Sequence, residues 1–382
     1  VSFSDRYFAV RNRWLSNPRF QQWAAAFPLT RRTARKRARA LFDVCAGFVY
    51  SQILYACVRL KLFDLLARGP HTAAEVAAEL QLSGNAAELL LEAAVSLDLV
   101  ERRTGGQFGL GTLGAALVGN PAVGAIIEHH RMLYSDLNDP VGLLRGEHGE
   151  TELGKYWAYS GAESAARLPD ERTADYTDLM ANSQPLVAAE ILDAYPLHKH
   201  RCLLDVGGGD GSFLLEASKR YAKLNLILFD LPPVARRASE RFTEEGIGAR
   251  ARALGGDFCK DRLPSGADVL SLVRVVHDHD DDAAESLLRA AHRALAPRGV
   301  LLLAEPMLGT PGAETVGHAY FGFYLLAMGH GKPRAPGELQ RMLREAGFSR
   351  AQLVRTRQPL QTRLIVAHKA AAPAQVFINV DI

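Results

Sequence analysis

Apolar and polar positions run along this chain in two textures. Up to about residue 200 the apolar residues recur at helical spacing; beyond it, short apolar runs alternate with helical stretches. In the first texture, Phe48, Ile53, Leu54, Val58, Leu62, Leu65 and Leu66 fall near the 3.6-residue period and predict helices from residue 41 onward. Thr72 stands as N-cap to AAEVAAELQL, Ser83-Gly84-Asn85 breaks the pattern, and a second helix is expected from about Ala86 to Leu97. LVERRTGGQFGLGTLG then gives two extended runs about Gly105-Gly106, a hairpin. Helix, turn, helix and wing make a winged-helix pattern. Residues 121–200 read as further helices punctuated by Tyr134, Tyr156, Trp157, Tyr159 and Tyr176.

The second texture predicts strands at 202–206, 226–230, 251–255, 268–273 and 300–305, with a closing pair near 350–356 and 363–368. Strands alternating with helices at that spacing build a parallel sheet covered on its faces, an α/β domain. The expected organisation is an N-terminal arm over 1–40, a winged-helix module over 41–120, a helical connector over 121–190 and an α/β domain over 191–382. The change of domain falls within 165–195.

Charge decides what the winged helix is for. Its second helix carries Glu88 and Glu92, with Asp98 just beyond, and no Lys or Arg stands between Ser83 and Val100. Such a helix forfeits the phosphate contacts that supply most DNA affinity. The overall balance of 45 Lys and Arg against 42 Asp and Glu, +3, also argues against a dedicated nucleic-acid binder. A packing and dimerisation role is the better reading. The 48% apolar fraction excludes wholesale disorder. Cys45, Cys57, Cys202 and Cys259 form no CxxC pair and read as reduced, buried thiols of a cytoplasmic protein. The most apolar stretch, Val44 to Val58, contains Ser51 and Gln52 and at about 15 residues falls short of a membrane span. Positive charge is concentrated in Arg31-Arg32-Thr33-Ala34-Arg35-Lys36-Arg37-Ala38-Arg39, either a solvated helix face or a contact for an anionic membrane surface.

Four motifs carry chemistry. In LLDVGGGDGS, a strand ends at Asp205-Val206, and Gly207, Gly208, Gly209 and Gly211 make a turn in which backbone can approach a ligand. Ser212 replaces the third glycine of a dinucleotide fingerprint, which counts against NAD without excluding it. Asp230 ends the next strand, 19 residues after Gly211, where an acid can accept both hydroxyls of an adenosine ribose. Gly256-Asp257-Phe258 follows the third strand, and could offer a hydrogen bond and a stacking ring to adenine. In RVVHDHDDD, His277 stands at a strand's carboxyl end, and Asp280, Asp281 and Asp282 open a helix whose dipole favours them. His-x-His-x-Asp also suggests a metallo-hydrolase, but Asp282 stands where another His is expected, so no metal is predicted.

VGGGDGS, FDLPPV, GGDF and RVVHDHDD, in this order and spacing, resemble the class I S-adenosylmethionine-dependent O-methyltransferases of the caffeate and hydroxyindole type. The likeness covers nearly the whole chain. It implies a Rossmann-like, doubly wound, mostly parallel sheet with an antiparallel last strand, and a homodimer formed through the winged-helix domain. LFDVCAGFVYSQILYACVRLKLFDLL, HHRMLYSDLNDPVGLLRGE and HAYFGFYLLAMGHGKPRAPGELQRMLREAGF further resemble its carotenoid-modifying branch from purple phototrophic bacteria, with the bacteriochlorophyllide methyltransferases as neighbours. The resemblance implies that Asp205 and the loop of Gly207, Gly209 and Gly211 hold the methionine end of S-adenosylmethionine. Asp230 would take the ribose and Asp257 and Phe258 the adenine, with Leu231 and Arg274 also beside the cofactor. His277 is the implied base, with Glu305 matching the first of two supporting glutamates and Pro333 standing where the second is expected.

The implied acceptor is the tertiary 1-hydroxyl of an acyclic carotenoid, with a bacteriochlorophyllide or a phenolic or polyketide hydroxyl as alternatives. A phenol lies about 3.5 pKa units above a histidine, whereas an alcohol near 16 lies roughly 13 kcal/mol away. The base would therefore receive the proton late, with His279 as a conceivable substitute. A long polyene also needs an apolar slot, for which Met180, Tyr320, Phe323, Tyr324, Ala327 and Met328 are the candidate lining. An acceptor held in lipid further implies peripheral contact with the inner, photosynthetic membrane.

Overall fold

Side-chain caps start four helices of the N-terminal unit. In the computed structural model, which describes residues 2–157, 184–359 and 362–371, Ser2 and Asp5 form a capping box on α1 (Phe3–Leu15), and Asn17 caps α2 (Pro18–Ala26). α3 (Arg31–Arg59) and α4 (Leu62–Ala67) follow, then β1 (His71–Thr72) and α5 (Ala73–Glu79), which Thr72 and Glu75 start with a second capping box. Ser83 caps α6 (Gly84–Ser96). β2 (Val100–Arg102) and β3 (Gln107–Leu110) complete a three-stranded antiparallel sheet with β3 in the middle, and α7 (Thr112–Leu117) closes the module. Leu62, Val76, Leu91, Val100 and Phe108 share its core. Glu92 of α6 pairs with Arg102 of the wing at 2.5 Å. This is the expected winged-helix arrangement.

α3 corrects one expectation. It is 29 residues long, buries only Cys57, and is by length and composition alone long and apolar enough to cross a membrane. A helix with exposed faces tolerates Asp43, Ser51 and Gln52, so the apolar run begins before Val44 and extends back to Leu41 and Phe42. Cys45, on the same helix, is exposed, as is Cys259, so the expectation of four buried thiols does not hold.

The chain divides into two compact units, Val1–Glu128 and His129–Ile382. α8 (Pro121–Asp136), α9 (Pro140–Arg145), α10 (Glu152–Tyr156) and a helical run over 184–194 precede the large sheet. Tyr159, Tyr176 and Met180 lie outside the described residues. The strands are β4 (Cys202–Val206), β5 (Asn225–Asp230), β6 (Ala251–Gly255), β7 (Val269–Val273), β8 (Val300–Glu305), β9 (Arg350–Val354) and β10 (Arg363–His368). They lie in the order β6-β5-β4-β7-β8-β10-β9; the first five are parallel, and β10 runs antiparallel to both of its neighbours. α11 (Ser212–Arg220), α12 (Pro232–Glu244), α13 (Asp281–Ala294), α14 (Gly322–Met328) and α15 (Pro336–Glu345) belong to the same unit.

The sheet's side chains alternate between two cores. Leu204 and Leu301 enter one with Leu288 and Leu343, while Leu203 and Leu302 enter the other with Phe213 and Phe242. Burial on both faces is why these strands read as unbroken apolar runs. The chain builds outward through β5 and β6, then returns to β7 on the other side of β4. Such a reversal opens a crevice at the carboxyl ends of the strands. Asp205, Asp230, Arg274 and Glu305 stand at or beside those ends.

Candidate active site

The glycine loop is shaped by its backbone. Gly207, Gly209 and Gly211 have φ of 70°, 60° and 82°, a region costly for any other residue. At Gly209 a Cβ would meet nothing within 4 Å, so the loop there borders open space. Beneath it, Asp205 is buried and accepts from the Ser271 hydroxyl at 2.6 Å, while its Oδ2 has no hydrogen-bond partner among the described residues. Burial pushes its carboxyl up to about 7, with Asp230 adding to the shift and the Ser271 bond opposing it. Asp230 accepts from the Gly209 and Leu231 amides at 2.8 and 2.7 Å, which ties the ends of β4 and β5 together. Burial raises it to about 6 against those two bonds.

Asp257 turns inward on its own loop, accepting from the Cys259 amide at 2.9 Å and pairing with Lys260 at 3.2 Å. Phe258 stands edge-on to His279, with ring centroids 5.2 Å apart. Arg274 sits at φ 56°, a left-handed conformation uncommon for any residue but glycine, and turns the chain out of β7. Its guanidinium meets the Gln184 side chain at 3.3 Å.

That turn leads into a single 3₁₀ turn, Val276–Asp278, which carries His277. Glu305, buried at the end of β8, accepts from the Val276 amide at 2.8 Å through Oε1 and from His277 Nδ1 through Oε2. His277 Nε2 faces Asp278 Oδ1 at 3.1 Å. Burial alone would lower the imidazole's pKa, but Asp278 and Glu305 outweigh it and push it up to about 10. At neutral pH the resting His277 is therefore a cation with both nitrogens engaged. His279, by contrast, is lowered by burial against the pull of Asp278.

A strap from residues 330–334 fixes this loop from outside. Arg334, 2% exposed, donates to the Val276 and His279 carbonyls at 2.9 and 2.8 Å and to Asp281 at 2.8 Å. The Lys332 amide donates to the His277 carbonyl at 2.9 Å, and His330 Nδ1 lies 2.9 Å from the Asp278 carbonyl. Pro333 thus sits inside the strap that clamps the backbone around His277.

The aromatic candidates divide. Phe321, at the end of a π-helical turn over Val316–Phe321, stands edge-on to His277 at 6.0 Å between ring centroids. Tyr320 and Phe323 are half-buried beside it. Tyr324 and Met328 are buried in a cluster with Leu133, Leu153 and Trp157. The Tyr324 hydroxyl accepts from Trp157 Nε1 at 2.8 Å and meets His129 Nε2 at 2.7 Å, while Tyr320 meets His130 at 2.7 Å. Burial lowers both histidines, His129 to about 4, so they serve as neutral partners. Nothing in the sequence singles out Phe321, Asp278 or Arg334, although each adjoins a residue that it does single out, Tyr320, His277 and Pro333.

An orphaned acidic oxygen, a glycine turn bordering open space and a second strand-end acid suit a ligand bearing positive charge and hydroxyl donors. S-Adenosylmethionine is such a ligand. Residues 134–349 match the O-methyltransferase domain, and residues 42–120 match the O-methyltransferase dimerisation domain. The chain is 41% identical over 349 residues to demethylspheroidene O-methyltransferase of Cereibacter sphaeroides, covering 91% of this chain and 92% of that one. Its identity to the enzyme of the same name from Rhodobacter capsulatus is 38%, covering 90% and 85%. The crystal structure of human N-acetylserotonin methyltransferase in complex with S-adenosylmethionine superposes with a TM-score of 0.72 at 26% identity, covering 88% of this chain and 98% of that one. The chain belongs to the O-methyltransferase family and is an S-adenosylmethionine-dependent O-methyltransferase.

Proposed function

We propose that the enzyme methylates the tertiary hydroxyl of an acyclic hydroxycarotenoid. The observation that carries this reading is the 41% identity, over nine-tenths of both chains, to a demethylspheroidene O-methyltransferase. S-Adenosylmethionine supplies, when bound, a methyl group on a positively charged sulfur, already a strong electrophile. Asp205 and the Gly207–Gly211 loop hold its amino-acid end, Asp230 its ribose, and Leu231, Asp257 and Phe258 flank its adenine. Arg274 braces the β7 end beside it.

The protein's remaining task is to place an oxygen and remove its proton. Even the resting imidazole, raised to about 10 by Asp278 and Glu305, lies about 6 units, roughly 8 kcal/mol, below an alcohol near 16. Loss of Asp278 to the incoming acceptor widens that gap, so the hydroxyl does not ionise beforehand. The proton therefore leaves as the carbon–oxygen bond forms. His277 Nε2 can take it only after the proton it carries at rest has left to solvent and the acceptor hydroxyl has displaced Asp278. Glu305 holds the ring throughout through Nδ1. Tyr320, Phe321 and Phe323 line the apolar slot, with Tyr324 and Met328 supporting it from the core. Because the acceptor dissolves in lipid, the enzyme works as a cytoplasmic protein in peripheral contact with the membrane.

Incubation in detergent with labelled S-adenosylmethionine and a panel of hydroxycarotenoid, bacteriochlorophyllide and phenolic acceptors tests the reading. The expected product is the carotenoid methyl ether. Turnover of only the other two classes would overturn it.

A further inference from the structure

The N-terminal arm holds charge out of proportion to its length. Ten of the chain's 45 Lys and Arg, but one of its 42 Asp and Glu, lie in the first 40 residues, an excess of nine positive charges. The remaining residues carry a net six negative. The same segment holds two of the three tryptophans, Trp14 at 58% and Trp23 at 52% exposure.

These rings form one stripe. Phe3, Tyr7, Val10 and Trp14 recur at intervals of four, three and four, along one face of α1, and all are exposed. Trp14 meets Phe20 edge-on at 5.5 Å, Phe20 lies 5.7 Å from Trp23, and Trp23 stacks on Phe27 at 5.0 Å, so the stripe continues along α2. Arg6, Arg11 and Arg13 flank it on α1, and the six basic residues of Arg31–Arg39 follow at the start of α3.

We propose that α1, α2 and the basic start of α3 form an interfacial anchor for an anionic lipid bilayer. The proposal rests on the carotenoid reading above and names the part of the chain that reaches the acceptor's phase. Aromatic rings between arginines match the boundary of a membrane, where the rings sit among headgroups and the guanidiniums reach phosphates. α1 has 13 residues and α2 has nine, so each lies in the plane and does not span. A second copy of the arm is a poor occupant, since nine positive charges would face nine. The family's dimerisation domain, moreover, begins only at residue 42.

The test uses the full-length enzyme with phosphatidylcholine vesicles, with and without phosphatidylglycerol. Trp14 and Trp23 are exposed and Trp157 is buried, so a blue shift of tryptophan emission on binding reports the arm. The expected result is co-sedimentation and a blue shift with the anionic vesicles alone, both reversed by about 0.5 M salt. Replacing Arg31, Arg32, Arg35 and Arg39 by Gln should weaken vesicle binding at least about tenfold. W14A/W23A should retain low-salt sedimentation but release at lower salt, and both variants should keep the detergent-phase rate. Wild-type enzyme that neither sediments nor shifts at low salt overturns the anchor, as does dissociation of the dimer by W14A/W23A with vesicle binding unchanged. Loss of carotenoid turnover in detergent would instead sink the substrate reading and leave the anchor standing.

Discussion

On the proposed roles, two carboxylates and one imidazole decide the chemistry, and each carries a prediction. Asp230→Ala removes charge-assisted bonds to the ribose, worth about 1.5–3 kcal/mol each, and should weaken S-adenosylmethionine at least about tenfold by calorimetry. Because burial raises Asp230 to about 6, the folded protein binds its proton more readily than the unfolded chain. Wild-type cofactor affinity should therefore be flat only above about pH 8 and decline as pH falls through 7 and then 6, as Asp205 and Asp230 in turn take up protons. Unchanged affinity in a folded Asp230→Ala variant would remove the residue from the site. For His277→Ala, kcat should fall by about 10²–10³ with cofactor binding retained; a variant keeping half the wild-type rate would end its role as proton acceptor. The sign of the pH effect is set by Asp278 and Glu305, which hold His277 protonated up to about 10. The kcat/KM for the acceptor, which reports the free enzyme, should therefore rise with pH above neutrality. Asp278→Asn, which keeps the shape and drops the charge, should shift that rise to lower pH. Fold stability runs the opposite way: the contribution of the His277 pairings is complete below about pH 6.5 and is lost as pH climbs toward 10.

At the scale of elements, the strap and the loop it clamps form one unit. Three of the Arg334 contacts are to the backbone or first helical turn around His277, and Arg334 is itself buried, so its proposed part is to position the ring through the backbone. Arg334→Lys keeps the charge but loses the planar fork that reaches two carbonyls and a carboxylate together. It should lower kcat by up to about 10²-fold, shift the pH profile and leave the cofactor Kd within about twofold. An Arg334→Lys enzyme that merely melts earlier, with kcat and profile unmoved, would reduce the strap to scaffolding. The sheet was legible in the sequence because burial on both faces leaves unbroken apolar runs: β7 and β8 lie within one residue of expectation. The strand-end acids were legible for the same reason, since a carboxylate closing such a run stands out. Arg334 was not, because nothing in HGKPRA shows that a charge 57 residues after His277 will be buried against it. Tyr324 and Met328 share a helical period with Tyr320, yet spacing alone does not say which face meets the slot and which the core.

Over the whole molecule, the unresolved competition is for the apolar face of α3, whose Leu41, Phe42, Val44 and Phe48 are each more than 60% exposed. Two solvents could cover it: a bilayer, since the helix has the length and composition to span one, or a second protomer. The family match favours the protomer, because residues 42–120 correspond to the dimerisation domain and α3 lies mostly within it. A spanning helix would also have to place Asp43 within or beside the hydrocarbon, at about 2.5–3.5 kcal/mol if central. Stable interfaces bury about 800 Å² per partner, and four large exposed apolar side chains on one helix are a natural centre for such a patch. Phe42→Glu with Phe48→Glu should then convert the dimer to monomer in analytical ultracentrifugation. It should also lower the melting temperature and remove that temperature's dependence on protein concentration, because stability gained by association follows mass action. Wild-type enzyme that stays dispersed as a dimer without detergent completes the expected outcome. A wild type that needs detergent to remain in solution, with a double variant that does not, would assign α3 to the bilayer instead.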